Sequence, residues 1–331
     1  MKILLTGAAG FIGLHVARAL LARGDEVVGI DNLNSYYDVR LKQARLAQLE
    51  GRPGFRFIRT DLAHRDEMAA LASEHADVTH IVHLAAQAGV RYSMQDPYAY
   101  VSSNVLGHLA VLEFARHLPR LAHLVYASSS SVYGGNQLLP FAETDRVDTP
   151  LSLYAATKRA DELMSYSYGH LYGLKQTGLR FFTVYGAWGR PDMAYFSFAE
   201  AIAAGRPITV YDDGLVRRDF TYIDDIVAGV VGVLDTPPIA AEPGPPVRVL
   251  NIGNHRSEPV TTLIGLLEEG LGQRALIHYT PRPAADVADT WADVDAIGAL
   301  TGFAPTTPLS VGMPRFVEWF KQWRAMREGL A

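Results

Sequence analysis

Six short apolar runs, KILLT, EVVGI, FRFIR, HIVHL, HLVYA and QTGLRFF, recur between Lys2 and Phe182, each separated from the next by a segment with helical spacing. Strands that alternate with helices are joined by crossovers and so run in the same direction, which gives a parallel sheet covered on both faces. The expected fold is therefore α/β, a doubly wound parallel sheet. After Tyr185 the rhythm changes: GAWGRPDM, DDGLVRRD and TPPIAAEPGPPVR bring glycine, proline and charge where the first half has regular elements. This places the main domain at residues 1–185 and a smaller carboxy-terminal α/β lobe at 186–331, with VRVLNIG, near 247–253, returning as a strand to the main sheet. The proline-rich stretch from Pro237 to Pro246 reads as a surface loop.

The whole-chain numbers narrow the function classes. A chain of 331 residues, 49% hydrophobic and with net charge −5, buries a full core and gives no reason to expect a nucleic acid or an anionic membrane as partner. Its lack of cysteine excludes disulfides, thiolate catalysis and cysteine-ligated zinc, and fits a reducing cytoplasm. The opening MKILLTGAAGFIG is broken by glycines and lacks a small-residue cleavage site, so it reads as a buried first strand, not a leader. The eleven histidines show no metal-ligand spacing, and no metal is expected; His80 and His83 flank the end of a buried strand and are read as structural. In the last helix, Phe316, Trp319, Phe320 and Trp323 share one face, the pattern of core packing.

Between the first strand and the first helix lies TGAAGFIG, with Gly7, Gly10 and Gly13 around Phe11 and Ile12. The first glycine permits a tight turn, the second lets backbone approach a pyrophosphate, and the third allows close packing of helix on strand. The second strand ends in Asp31 and Asn32, about 20 residues beyond the loop. A carboxylate there accepts the ribose hydroxyls of an adenosine and repels a 2′-phosphate, which favours NAD over NADP; a turn cap is the plainer alternative. Asp61 and Leu62 follow the third strand within reach of an adenine, and Leu84, Ala85 and Ala86 after the fourth are small or apolar where a pyrophosphate and ribose must pass.

Toward the middle of the chain, YASSSSVYGG ends the fifth strand and YAATKRADELMSY opens a helical segment in which Tyr154 and Lys158 lie one turn apart. A lysine ammonium at that spacing favours the tyrosine phenolate and can hold a cofactor ribose, leaving the phenolate to take a proton from a hydroxyl as hydride leaves the same carbon. Either residue alone has a structural explanation. Together with the glycine turn, the acidic second strand and the serines, in this order, they resemble the extended short-chain dehydrogenase/reductases, Rossmann-type enzymes, and among them the nucleotide-sugar epimerases, over essentially the full length.

That resemblance implies roles for particular residues. Ser129, matching the shared SSVYG pattern, would hydrogen-bond the reacting sugar hydroxyl beside Tyr154 and Lys158, with Ser128, Ser130 and Ser131 as its neighbours in a run whose register is set to within one residue. Dehydratase relatives carry an aspartate–glutamate pair at this place, and only serines stand here. YASSSSVYGGN, SLYAATK and RFFTVYGAWGRPDMA resemble the UDP-glucuronic acid 4-epimerase group, whose members interconvert UDP-glucuronic and UDP-galacturonic acids through a 4-keto sugar. By that likeness Ser130, Ser131 and Thr183 would bind the sugar carboxylate, Arg190 would orient the sugar, Arg218 would meet the diphosphate and Asp286 the ribose. Arg217 reads as solvated, and Arg282 is displaced by about one residue from an arginine some relatives use. A homodimer through the segments Tyr100 to His117 and Tyr154 to Tyr172 is also implied. UDP-glucose 4-epimerase, UDP-glucuronic acid decarboxylase and a non-catalytic dinucleotide-sensing protein are the alternatives.

Overall fold

The computed structural model describes residues 1–240, 244–283 and 287–329. Its centre is a seven-stranded, all-parallel sheet formed by β1 (Lys2–Thr6), β2 (Glu26–Asp31), β3 (Phe55–Arg59), β4 (His80–His83), β5 (His123–Ser129) and β6 (Gln176–Phe181), joined by a strand from late in the chain. Between β6 and that strand come β7 (Thr183–Tyr185), β8 (Pro207–Tyr211), β9 (Arg217–Arg218) and β10 (Phe220–Tyr222); the strand itself is β11 (Val247–Ile252), and β12 (Glu258–Pro259) and β13 (Leu276–Thr280) follow. The sheet order is β11-β6-β5-β4-β1-β2-β3. This is the doubly wound Rossmann arrangement, with a smaller lobe built on the two-stranded pairs β10-β7, β12-β9 and β13-β8.

Both sheet faces are buried, and β1 shows how. Ile3 and Leu5 enter one hydrophobic cluster with Leu14 and Ile226, whereas Leu4 enters the other with Val111 and Leu124, because successive side chains of a strand point to opposite faces. The aromatic stripe expected near the carboxy terminus lies on helix Leu309–Gly329, where Phe316 and Trp319 pack on Phe196 and Trp319 and Trp323 pack on Trp188. Among the described residues, no helix is long and apolar enough to cross a membrane.

The chain runs β1, β2, β3 toward one edge and then returns to place β4 on the other side of β1. Such a reversal opens a crevice at the carboxyl ends of the two central strands, where doubly wound sheets bind ligands.

Candidate active site

Gly7 follows β1 at this reversal with φ +75°, and a Cβ on it would stand 2.8 Å from the Ala85 backbone nitrogen after β4. A side chain at Gly13 would stand only 2.0 Å from the Gly7 carbonyl oxygen. The turn therefore closes only on glycine, and it delivers the chain into helix Phe11–Ala22. Gly10 caps that helix without a side-chain bond, and its first turn holds no acid. Its leading N–H groups are left for a ligand, with the positive end of the helix dipole behind them.

Asp31 closes β2 beside the same turn. Its Oδ2 accepts the Ala9 N–H at 3.1 Å and its Oδ1 the Leu33 N–H at 2.9 Å. Burial in the cleft pushes this carboxyl up, opposed by the Leu33 N–H and the charge of Lys42. Asn32 donates to Asp61 Oδ2 at 2.8 Å, so the ends of β2 and β3 form one polar wall. His83 is held inside, its Nδ1 2.7 Å from Thr6 Oγ1, and burial lowers it to about 3, which keeps the ring neutral and structural.

Gly7, Gly10, Gly13, Asp31, Asn32 and Asp61 line one cavity of about 1000 Å³, which continues across the carboxyl end of β5 to the smaller lobe. Tyr154 and Lys158 reach it from helix Leu153–Tyr172, whose first turn is capped by Ser152 accepting from the Ala155 N–H. Tyr154 packs edge-on against Tyr100 with ring centres 6.0 Å apart. Lys158 Nζ donates to the Ala127 carbonyl at 3.0 Å and to Asp161 at 3.1 Å.

The serines divide between two tasks. Ser128 donates to Glu162 Oε1 at 2.6 Å in the interior, not to a nearby turn, and Glu162 is itself gripped by Arg180 through two 2.9 Å bonds. Ser129 accepts from the Ser131 N–H at 3.2 Å and donates to Ser131 Oγ at 3.1 Å, capping the turn Ser130–Tyr133 at the cavity wall. Thr183, at the start of β7, faces the same space as Ser130 and Ser131. Neutral hydroxyls of this kind donate to a carboxylate without an ion pair.

Farther along, Arg190 holds Asp192 through Nε at 3.1 Å and Nη2 at 2.6 Å, and Tyr36 donates to the same carboxylate at 3.3 Å. Although burial opposes it, the Arg190 guanidinium keeps Asp192 below the usual carboxylate range. Arg218 lines the cavity while donating to the carbonyls of Arg217 and Ala288. Arg217 keeps a side chain 41% exposed, as expected of a solvated residue, and also donates to Ser257 Oγ at 2.9 Å and to the Ser257 carbonyl at 2.6 Å where β9 is pinned against β12. Arg282 is engaged by Asp212 at 2.8 Å. Asp286 lies outside the described residues.

Some cavity residues carry no sequence signal. Lys42 donates to Asn34 Oδ1 at 2.6 Å and stands 4.8 Å over the Tyr37 ring; burial lowers it to about 8 against the pull of Asp31. Arg91, stacked 4.8 Å over Tyr211, also lines the wall. Only the fold brings these side chains to the crevice, so no local motif could have found them.

Residues 3–253 match the family described as NAD dependent epimerase/dehydratase. The chain belongs to this family. The NAD dependence of the family fits the uncapped helix, the acidic strand end and the glycine turn, which could not close as tightly with side chains at Gly7 or Gly13. Within the epimerase/dehydratase family, the chain is 47% identical to the probable UDP-glucuronate 4-epimerase of Rhizobium meliloti, covering 97% of each protein. It is 48% identical to UDP-glucuronate 4-epimerase 5 of Arabidopsis thaliana, over 97% of this chain and 75% of that one. Among solved structures, the UDP-glucuronic acid 4-epimerase of Bacillus cereus, in complex with UDP-glucuronic acid and NAD, superposes with a TM-score of 0.89 at 34% identity, over 98% of this chain and all of the other.

Proposed function

We propose that this protein interconverts UDP-glucuronic acid and UDP-galacturonic acid by reversible, NAD-dependent epimerisation at carbon 4. The observation that carries the reading is one cavity lined by Tyr154 and Lys158 together with the neutral hydroxyls of Ser130, Ser131 and Thr183. Relatives that bear this activity in their names, at 47% and 48% identity, support it.

NAD, when bound in this cavity, would supply the acceptor for the carbon-4 hydride and the donor that returns it to the opposite face after the sugar has turned. Tyr154, as phenolate, takes the proton of the carbon-4 hydroxyl and gives it back in the second half. Ser129 exchanges its bond to Ser131 for the same hydroxyl and fixes its direction. Lys158 favours the phenolate by its charge and faces the cofactor ribose. The Gly7 to Gly13 turn, with Phe11 and Ile12, holds the pyrophosphate; Asp31 and Asn32 take the adenosine ribose, Asp61 and Leu62 the adenine, and Leu84 to Ala86 the central span. Arg190, pre-set on Asp192, orients the sugar, Arg218 meets the diphosphate, and Asp286 is assigned to the UDP ribose.

The oxidised sugar is a β-keto acid, which loses carbon dioxide when the bond to its carboxylate stands perpendicular to the carbonyl plane. Ser130, Ser131 and Thr183 hold the carboxylate near that plane and so protect the product. On this reading residues 1–185, with the strand from 247, serve the cofactor, and 186–331 mainly serve the UDP-sugar. The protein acts in the cytoplasm as a homodimer formed through two helices of each subunit.

The test is to incubate purified protein, without added NAD, with UDP-glucuronic acid and to separate the products by chromatography with mass detection. A new isobaric peak is expected. A product lighter by carbon dioxide would replace this reading with a decarboxylase, and no product even after NAD is added would withdraw the substrate assignment.

A further inference from the structure

The helix that carries Tyr154 and Lys158 carries a third polar residue on the same stripe. Positions 154, 158 and 161 follow the i, i+4, i+7 spacing of one helical face. At Lys158 and Asp161 that face is buried, with side chains 2% and 1% exposed, and Lys158 alone of the two borders the cavity. Lys158 Nζ bridges the Ala127 carbonyl of β5 at 3.0 Å and Asp161 Oδ2 at 3.1 Å, so the ammonium is fixed between the strand that bears the serines and its own helix. Asp161 Oδ1 has no hydrogen-bond partner among the described residues. A buried carboxylate with one idle oxygen is costly to the fold, and what it supplies in return is its hold on Lys158.

The groups around Asp161 and Lys158 leave that hold unshared. On its own helix, Glu162 is engaged by Arg180 of β6. From β4 and helix Gly107–Arg116 come His83 and His108, both kept neutral by burial. From β5 comes Tyr126, whose phenol burial also keeps neutral. Lys158 and Asp161 are thus a charge pair set among uncharged rings and one separately paired couple.

We propose that Asp161 is a positioning residue of the reaction: its carboxylate fixes Lys158 and offsets the lysine charge, and so sets how strongly Lys158 favours the Tyr154 phenolate. This rests on the reading of Tyr154 and Lys158 given above. Asp161 touches no reacting atom and acts only through the lysine.

Asp161→Asn keeps the size and a hydrogen bond but removes the charge. Tyr154 lies seven residues away, about 10 Å along the helix, a range at which a unit charge in a partly screened interior moves a titration by about one pH unit. The phenolate is read by ultraviolet difference titration of each protein against its own Tyr154→Phe counterpart, with no sugar nucleotide present. In Asp161→Asn, and in Asp161→Ser as a second uncharged variant, the Tyr154 midpoint falls by about one pH unit because the lysine charge is no longer offset. The acidic limb of kcat on UDP-glucuronic acid moves with it while KM changes less than about twofold, and Asp161→Glu restores the midpoint. A folded uncharged variant whose midpoint is unmoved or raised overturns the proposal. So does the failure of both uncharged variants to fold when Asp161→Glu folds, since the charge is then a need of the fold alone. No turnover on UDP-glucuronic acid together with a lowered midpoint removes the substrate assignment and leaves the role of Asp161 standing; turnover with an unmoved midpoint does the reverse.

Discussion

Ser128 and Ser129 end the same strand, and the alternation of a strand sends the first to Glu162 in the interior and the second to the cap of the cavity-side turn. The sequence carries this alternation, but which register is buried depends on Glu162 and Arg180, which arrive from a helix and a strand farther along the chain. The glycine turn and the tyrosine–lysine pair were legible because their chemistry requires short, fixed spacing. Lys42 and Asp161 were not, because a lysine or an aspartate on a helix acquires meaning only from what buries it. At this scale the carboxylate hydroxyls make the sharpest prediction. Thr183→Val removes one donor to a charged group, a loss of about 1.5–3 kcal/mol, or roughly ten- to hundredfold in kcat/KM for UDP-glucuronic acid. Because a loosened carboxylate swings out of the carbonyl plane, the same variant, and more so Ser130→Ala with Ser131→Ala, yields a UDP-pentose lighter by carbon dioxide. Mass-resolved chromatography of the products measures both; variants matching wild type in rate and in product would remove these residues from the carboxylate site.

Helix Leu153–Tyr172 does two jobs with neighbouring side chains: Lys158 faces the cavity, while Glu162 one turn on binds the helix to β5 through Ser128 and to β6 through Arg180. Burial alone would push the Glu162 carboxyl up, but Arg180, Ser128 and Arg159 hold it below its usual 4.5. Its contribution is therefore fully present above pH 4.5 and is lost as pH falls through the lower folded value. Glu162→Ala leaves Arg180 buried without its partner, which costs about 3–5 kcal/mol at neutral pH. Urea unfolding at a series of pH values checks this: the gap between wild type and variant is widest near neutrality and narrows below pH 4.5, and a gap independent of pH would mean that the pair does not stabilise through its charge. The long elements were legible because an apolar run repeated at regular intervals has few other solutions. Pairs as short as β9 with β12 were not, since two residues carry no periodicity and are set only by the chain that passes beside them.

At the scale of the whole molecule, alternation established the sheet, yet it gives no account of the surface left over. Helix Leu153–Tyr172 and the continuous helical run Pro97–Tyr100, Val101–Leu106 and Gly107–Arg116 pack side by side. Their outer faces leave Val101, Leu106, Leu163 and Tyr166 uncovered, the last two 54% and 55% exposed. Exposed apolar side chains on one pair of packed helices would suit an association surface, and a stable interface covers about 800 Å² on each partner. The inner face of the same helix bears Tyr154 and Lys158, so pairing two copies here would brace the reactive helix from behind while each cavity stays within one chain. Leu163→Asp with Tyr166→Asp places two charges where two copies would meet. Light scattering is then expected to show the mass fall from about twice 36.2 kDa to that of a single chain, the melting temperature to drop, and kcat measured below the melt to stay within a fewfold of wild type. A wild-type protein that already runs as a single chain, or a double variant that keeps the doubled mass, would place the contact elsewhere. A variant that becomes monomeric and loses all turnover while still folded would show that the helix needs its partner for chemistry as well as for stability.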